Sequence, residues 1–192
     1  MSSKKRIAVF ASGDGSNFEA IVSACECGEL DAEVVALVCD RPGVKVVARA
    51  ENHNVDTFVF EPKSYDNKVD METAIVDYLD GKCVDLVCLA GYMRIVGDTL
   101  LSRYDGRIIN IHPSLLPAFP GARAVEQAME YGVKVFGVTI HYVNQTIDGG
   151  RIIAQQAVAY DGADIDELMQ QIHAAEHELY PRTIAHLLHH NS

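Results

Sequence analysis

An amide and an imidazole side chain stand two residues apart where an apolar run of the sequence ends. Asn110 and His112 lie in the segment Arg107–Pro113, with Ile111 between them. Because side chains alternate across a β-strand, this spacing puts both polar groups on one face. One group can donate to a developing oxyanion while the other moves a proton, so the pair predicts chemistry at a carbonyl group. A structural histidine at a strand end is the alternative, and the amide on the same face favours the functional interpretation.

A glycine-rich turn, Ser12–Asn17, follows the first apolar run and opens a helical segment. Backbone N–H groups at such a turn, together with the helix dipole, bind anions, so we expect a phosphate site there. The turn also resembles the dinucleotide-binding motif GxGxxG, with Asp40 placed as a ribose-binding acid. Phe18, however, stands where that motif has its third glycine. A dinucleotide-binding protein is therefore a second hypothesis, and an ordinary turn with Ser16 or Asn17 as the N-cap of the helix is a third.

Apolar runs and segments of helical periodicity alternate along the chain. The strands and helices that they predict must position the Asn110–His112 pair and the glycine turn. The runs that predict buried strands are Ile7–Ala11, Val34–Cys39, Thr57–Phe60, Leu86–Leu89, Ile108–Ile111, Val135–Val143 and Arg151–Tyr160. The helical segments are Asn17–Cys27, Lys45–His53, Lys68–Leu79, Gly97–Tyr104, Ala124–Tyr131 and a last helix that begins near Asp164 and restarts at Pro181. This alternation predicts an α/β fold: a doubly wound, mostly parallel, Rossmann-like sheet with helices on both faces and an antiparallel late strand pair. Residues 1–192 are expected to form a single domain.

The composition of the 192-residue chain argues against several classes of protein. Sixteen Lys and Arg against 27 Asp and Glu give a net charge of −11, so neither nucleic acid nor an anionic membrane is expected as a partner. The five cysteines form no CxxC pair, and the sequence contains no signal peptide, which together predict a cytoplasmic protein. His173, Glu176 and His177 match an HxxEH pattern without an identifiable third ligand, so no metal site is expected.

The string Asn110–Pro117, followed by Asp148-Gly149-Gly150, resembles the signature of the folate-dependent formyltransferases. The resemblance runs from Arg6 to Tyr180 and includes the glycine turn. It implies an enzyme that transfers the formyl group of 10-formyltetrahydrofolate, its co-substrate, to the amine of glycinamide ribonucleotide, a step of purine synthesis. Its expected partners are these two small molecules.

The resemblance also implies roles for individual residues. The family's catalytic amide, imidazole and carboxylate correspond to Asn110, His112 and Asp148, although Asp148 by itself would be interpreted as a plain turn residue. A carboxylate beside His112 would favour the charged imidazole, which could then stabilise an oxyanion. The other implied positions are the nucleotide-binding residues Gly15, Ser16, Asn17, His173 and Glu176, the folate-binding residues Lys68, Met93, Arg94, Ile95, Val96 and Asn110, and the supporting residues Thr139 and His141.

Two relatives that share this chemistry give alternative hypotheses. A methionyl-tRNA formyltransferase carries a further basic domain, which a chain of net charge −11 is not expected to contain. A formyltetrahydrofolate deformylase, which hydrolyses the same formyl donor, is the closer alternative, since Leu116–Ala122 resembles that enzyme as well. It normally has an additional N-terminal domain, whereas the first strand here is expected to start at Ile7. A dinucleotide-binding oxidoreductase or binding module depends on the glycine turn and Asp40 alone.

Overall fold

The computed structural model describes residues 4–190, and within this range seven strands and six α-helices alternate. The strands are β1 (Lys5–Phe10), β2 (Ala32–Cys39), β3 (Thr57–Val59), β4 (Leu86–Leu89), β5 (Ile108–His112), β6 (Val135–Tyr142) and β7 (Ile152–Ala159). The helices are α1 (Ser16–Cys27), α2 (Lys45–Asn52), α3 (Lys68–Gly81), α4 (Asp98–Arg103), α5 (Ala124–Tyr131) and α6 (Ile165–His190). Each predicted strand and helix has an observed counterpart, and a short 3₁₀ helix at Pro62–Ser64 is an addition.

All seven strands belong to one sheet in the order β3-β2-β1-β4-β5-β6-β7. Strands β1 to β5 run parallel, whereas β6 is antiparallel to β5 and β7 is antiparallel to β6. This topology confirms the predicted doubly wound sheet with its late antiparallel pair. The order of the strands reverses between β1 and β4, and ligands of open α/β sheets bind at the carboxyl ends of the strands beside such a point.

Helices cover both faces of the sheet and form two apolar cores. One face packs against α1, α2, α5 and α6, with Phe18 and Tyr180 among its fully buried side chains. The opposite face packs against α3 and α4, where Ile75 and Tyr104 are buried. Because both faces of the sheet are covered at β4 and at residues 7–10 of β1, these stretches consist of apolar residues without alternation, as their runs in the sequence predict.

Helix α6 continues through Pro181, where the sequence predicts a restart. Proline has no N–H to donate to the carbonyl of the preceding turn, which usually breaks or kinks a helix. Two residues later, the Thr183 hydroxyl donates to the Leu179 carbonyl at 2.7 Å, and Tyr180 and Ile184 are fully buried on either side of the proline. Tertiary packing on both sides therefore holds the 26-residue helix together. No helix within the described residues is long and apolar enough to cross a membrane.

The pairing of β5 with β6 brings four polar side chains together. Asn110 lies opposite His141, and His112 lies opposite Thr139, in the antiparallel register of the two strands. Residues that are directly opposite in a sheet share a face, so all four point to the same side. The pairing of β5 with β6 therefore adds Thr139 and His141 to the two polar side chains that the sequence places on one face of β5.

Candidate active site

A cavity of about 780 Å³ lies at the carboxyl ends of β1, β4 and β5. Its walls come from the glycine turn after β1, the loop after β4, the end of β5, the 121–124 and 141–148 segments, and α6. Thirteen of the predicted site residues line it: Gly15, Ser16, Asn17, Met93, Arg94, Ile95, Val96, Asn110, His112, His141, Asp148, His173 and Glu176. Residues from distant parts of the sequence thus meet at one site.

His112 is buried between two hydrogen-bond acceptors. Its Nε2 lies 2.9 Å from the Phe119 carbonyl oxygen, and its Nδ1 lies 3.5 Å from Oδ2 of Asp148. Nε2 can donate to the carbonyl oxygen, and Nδ1 can donate to the carboxylate. At 3.5 Å the Nδ1 contact is too long for a strong hydrogen bond, so the Nδ1 proton can also reach a substrate oxygen. Both ring nitrogens of His112 therefore face oxygen acceptors, and the imidazole can act as a hydrogen-bond donor.

Asp148 lies in the β6–β7 loop and faces both imidazoles. Its Oδ2 accepts a 2.7 Å hydrogen bond from the Gly121 N–H, and its Oδ1 lies 3.5 Å from Nε2 of His141. The His141 imidazole first, and then the Gly121 N–H, hold the pKa of Asp148 below its usual range against the opposing effect of burial. The carboxylate is therefore ionised at neutral pH. The backbone of Asp148 adopts a left-handed conformation, φ +50°, which is uncommon for a residue other than glycine.

His141 connects Asn110 to the backbone. Its Nδ1 lies 2.8 Å from the Tyr142 carbonyl oxygen, so Nδ1 is protonated and donates. Its Nε2 lies 3.2 Å from Nδ2 of Asn110. An unprotonated Nε2 accepts from the amide, whereas a protonated one donates to Asp148. In the first arrangement the Asn110 amide keeps its second N–H free for a ligand in the cavity.

The glycine turn leaves the N-terminus of α1 open towards the cavity. Gly15 is the N-cap residue in a left-handed conformation, φ +80°, and no side chain caps the helix, contrary to the hypothesis of a cap by Ser16 or Asn17. The first N–H groups of α1 are therefore free to bind an anion. A Cβ atom on Gly15 would lie 2.4 Å from Cγ2 of Val46, so a side chain at this position is excluded by both conformation and space.

Asn17 and Glu176 join the glycine turn to α6. Nδ2 of Asn17 donates to Oε2 of Glu176 at 3.0 Å, and both residues are buried at the cavity wall. Burial raises the pKa of Glu176, opposed by this hydrogen bond and by His173. Glu176 thus has the partner that a carboxylate on an apolar helix stripe requires, and it still reaches the cavity.

The loop after β4 combines exposed apolar side chains with a fixed backbone. Met93 and Ile95 are 68% and 62% exposed, although both line the cavity. The Met93 N–H donates to Oγ of the buried Ser12 at 2.9 Å, which ties this loop to the glycine turn. At its other end, buried Glu72 accepts from the Gly97 N–H at 2.6 Å. An apolar surface on an anchored backbone suits a flat heterocycle.

Two predicted site residues do not line the cavity. Lys68 lies on α3, where its Nζ is 3.9 Å from Oε1 of Glu72. A Cβ on Gly97 would meet Cε of Lys68, so the lysine packs behind the end of the 91–97 loop. Thr139 is fully buried, and its hydroxyl donates to the Ser114 carbonyl at 2.7 Å. Thr139 therefore supports the segment that follows His112 and is not placed to contact a ligand.

The rival ligand sites receive no support from the geometry. Within residues 4–190, no three His, Cys, Asp or Glu side chains are grouped so that they could hold a metal ion. The rings of His173 and His177 stack with their centroids 6.3 Å apart. Asp40 is buried but is not among the residues that line the cavity, and Phe18 fills the core at the position of the third glycine. The features on which a dinucleotide site depends thus do not come together.

Sequence patterns miss several residues that hold the site in place. Three of them each make a hydrogen bond that fixes a cavity segment: Ser12, Gly121 and Glu72. The fourth is Gln155, whose Nε2 donates to the Leu116 carbonyl and to the Thr139 hydroxyl. Only Ser12 has a sequence signal, a hydroxyl immediately after an apolar strand. The other three act on segments far along the chain, so no local pattern marks them.

Known proteins resemble this chain in both sequence and structure. A family model described as formyl transferase matches residues 5–184. The phosphoribosylglycinamide formyltransferase of Bacillus subtilis is 55% identical over 185 residues, which cover 96% of this chain and 95% of that protein. The enzyme of the same name from Haemophilus influenzae is 37% identical over 94% of this chain and 85% of its own length. A solved structure, glycinamide ribonucleotide transformylase 1 from Geobacillus kaustophilus, superposes with a TM-score of 0.94 at 54% identity, covering 96% of this chain and 99% of the other. The chain therefore belongs to the formyl transferase family.

Proposed function

We propose that the chain transfers the formyl group of 10-formyltetrahydrofolate to the amine of glycinamide ribonucleotide, in purine biosynthesis. The observation that carries the proposal is the grouping of Asn110, His112 and Asp148 in one cavity with an uncapped helix N-terminus and an exposed apolar loop. The names of relatives, one of them 55% identical, support the same activity. We expect the enzyme to act in the cytoplasm on these two small molecules.

The reaction joins the amine nitrogen to the formyl carbon and breaks the bond between that carbon and N10 of the folate. One proton leaves the amine, and one reaches the departing nitrogen. The intermediate is tetrahedral, and its oxygen carries negative charge. Asn110 and charged His112 donate to this oxygen, and Asp148 stabilises the charge on His112. The substrate amine is itself the nucleophile, so the mechanism needs neither a nucleophilic side chain nor a metal ion.

Each substrate has a matching part of the cavity. The open N–H groups of α1 suit the phosphate of the nucleotide, and Glu176 suits its ribose hydroxyls. Met93 and Ile95 offer apolar surface to the pterin, and the backbone of the 91–97 loop offers hydrogen bonds. Arg94 lines the same part of the cavity and supplies a positive charge for folate carboxylates.

An assay of the purified chain with 10-formyltetrahydrofolate, with and without glycinamide ribonucleotide, tests this proposal. We expect release of tetrahydrofolate to depend on the nucleotide and formylglycinamide ribonucleotide to appear in equal amount. Equal folate release without the nucleotide would identify a deformylase instead. A fluorescence titration with reduced nicotinamide dinucleotide is expected to show no binding, and tight binding would favour the oxidoreductase hypothesis.

Replacing Asp148 by asparagine keeps the shape of the side chain but removes its charge. The neutral amide no longer places a negative charge beside His112, so we expect lower turnover and a shifted pH dependence of kcat. The pH dependence of kcat at saturating substrates, under conditions where chemistry limits, measures this shift. An unchanged profile would remove Asp148 from the mechanism.

The same variant makes a stability measurement possible. The pKa of Asp148 is lowered in the folded state, so its contribution to stability is present above the unfolded pKa of about 4 and is lost as pH falls through the folded value. Urea unfolding at neutral pH should therefore separate wild type from Asp148→Asn, and the difference should shrink at strongly acid pH.

A further inference from the structure

Two consecutive carbonyl groups of the glycine turn are bound from α2. The Gly13 carbonyl accepts from the Val46 N–H at 3.1 Å, and the Asp14 carbonyl accepts from Nε of Arg49 at 2.9 Å. Both peptide groups are trans, so each N–H points away from its own carbonyl. Because α2 holds the carbonyls, the N–H groups of Asp14 and Gly15 point away from α2. Both residues line the cavity, whereas no residue of α2 does.

The guanidinium group of Arg49 makes the second of these contacts and donates to three acceptor oxygens in all. Besides the Asp14 carbonyl, it donates to Oδ2 of Asp14 at 3.0 Å and to Oε2 of Glu19 at 3.2 Å. His53 contacts the other Glu19 oxygen at 2.9 Å. The side chain of Arg49 is only 32% exposed, so this arrangement is fixed by its neighbours.

Lys45 provides an internal comparison on the same helix. Its Nζ lies 3.0 Å from Oδ1 of Asp14, but its side chain is 79% exposed and contacts only the carboxylate. Lys45 first and Arg49 second hold the pKa of Asp14 below its usual range, so this carboxylate remains charged beside the turn. Both cations therefore offset the Asp14 charge, whereas Arg49 alone holds a backbone carbonyl.

We propose that Arg49 is a positioning residue that turns the Asp14–Gly15 peptide so that its N–H faces the phosphate of the nucleotide. This inference rests on the proposed function, because it takes the phosphate as the ligand of the glycine turn. Without the guanidinium, the Asp14 carbonyl is free to rotate towards the cavity, where it would repel an anion. The turn has no Lys or Arg of its own, so its affinity for a phosphate depends on backbone N–H groups that point into the cavity.

Three variants separate orientation from charge: Arg49→Met, Arg49→Lys and the matched control Lys45→Met. We expect Arg49→Met to raise the KM for glycinamide ribonucleotide about tenfold, as for one hydrogen bond to a charged group, while kcat and the KM for the folate stay within about twofold. Arg49→Lys keeps the charge but lacks the planar fork, so it should behave like Arg49→Met. Lys45→Met should stay near wild type.

Two results would overturn the positioning role. Restoration of the KM by Arg49→Lys, or an equal effect of Lys45→Met, would show that charge alone matters. A rise of both KM values together with a lower melting temperature would show a merely structural role.

A titration with ribose 5-phosphate tests the turn independently of the reaction. The Gly15 amide resonance should shift in the wild type and in Lys45→Met, and shift much less at the same concentration in Arg49→Met. If the wild type does not formylate the nucleotide but shows this pattern, the proposed function fails and the positioning role stands. If the wild type formylates the nucleotide but its Gly15 amide does not respond, the positioning role fails alone.

Discussion

Replacing His112 by alanine should lower turnover by about 10²- to 10⁴-fold, the loss expected for a group that moves a proton and stabilises an oxyanion. The variant removes the side chain between the Phe119 carbonyl and Asp148. Asp148 keeps its contacts with the Gly121 N–H and with His141, but the imidazole no longer stands between its carboxylate and the formyl oxygen. Single-turnover kinetics at saturating concentrations of both substrates would measure the chemical step directly.

A glutamine at position 112 serves as the matched variant. Its amide N–H can still donate to the Phe119 carbonyl and so preserve the loop, but it cannot carry a positive charge or transfer a proton. We expect His112→Gln to be almost as inactive as His112→Ala, with an unchanged melting temperature. Turnover of His112→Gln within a few-fold of wild type would contradict the role given to this histidine.

Replacing Asn110 by alanine should cost about 10²- to 10³-fold in kcat, as for the loss of one oxyanion donor. When Nε2 of His141 is unprotonated, the amide donates one N–H to it, and the other N–H is available to the substrate. Asn110→Asp is the closest variant in shape, and it should be no more active, because a carboxylate repels the oxyanion.

The two losses should not add. If Asn110 and His112 stabilise the same oxygen, the double alanine variant should be only a few-fold slower than His112→Ala. A double variant whose loss equals the product of the single losses would show that the two residues act on different steps.

Local patterns in the sequence suffice for the elements and for the first half of the site. The strand period places Asn110 and His112 on one face, and both line the cavity. The apolar runs of the parallel strands show no alternation because helices cover both faces. These features depend on neighbours within a few residues, which a single sequence displays.

The remainder of the site depends on contacts between distant segments. Asp148 meets His112 only because β6 returns antiparallel to β5, and its backbone conformation has no sequence signal. The contact of Lys68 with Glu72 decides that the lysine lies behind the 91–97 loop, although its side chain is long enough to reach other positions. Similarly, the buried side chains around Pro181 override the local preference for a helix break.

The opposed pairs on β5 and β6 determine where this chain can change in length. A deletion or insertion of one residue inside Val135–Ile140 would shift the alternation of β6 and turn Thr139 and His141 to the opposite face. Apolar residues from the neighbouring positions would then occupy the cavity wall. The turn 132–134 and the exposed segment 161–163 lie outside the strands and the cavity lining, so a change in length there would leave the strand register intact. Insertions and deletions between this sequence and its homologues should therefore concentrate in those two segments and be rare within β5 and β6.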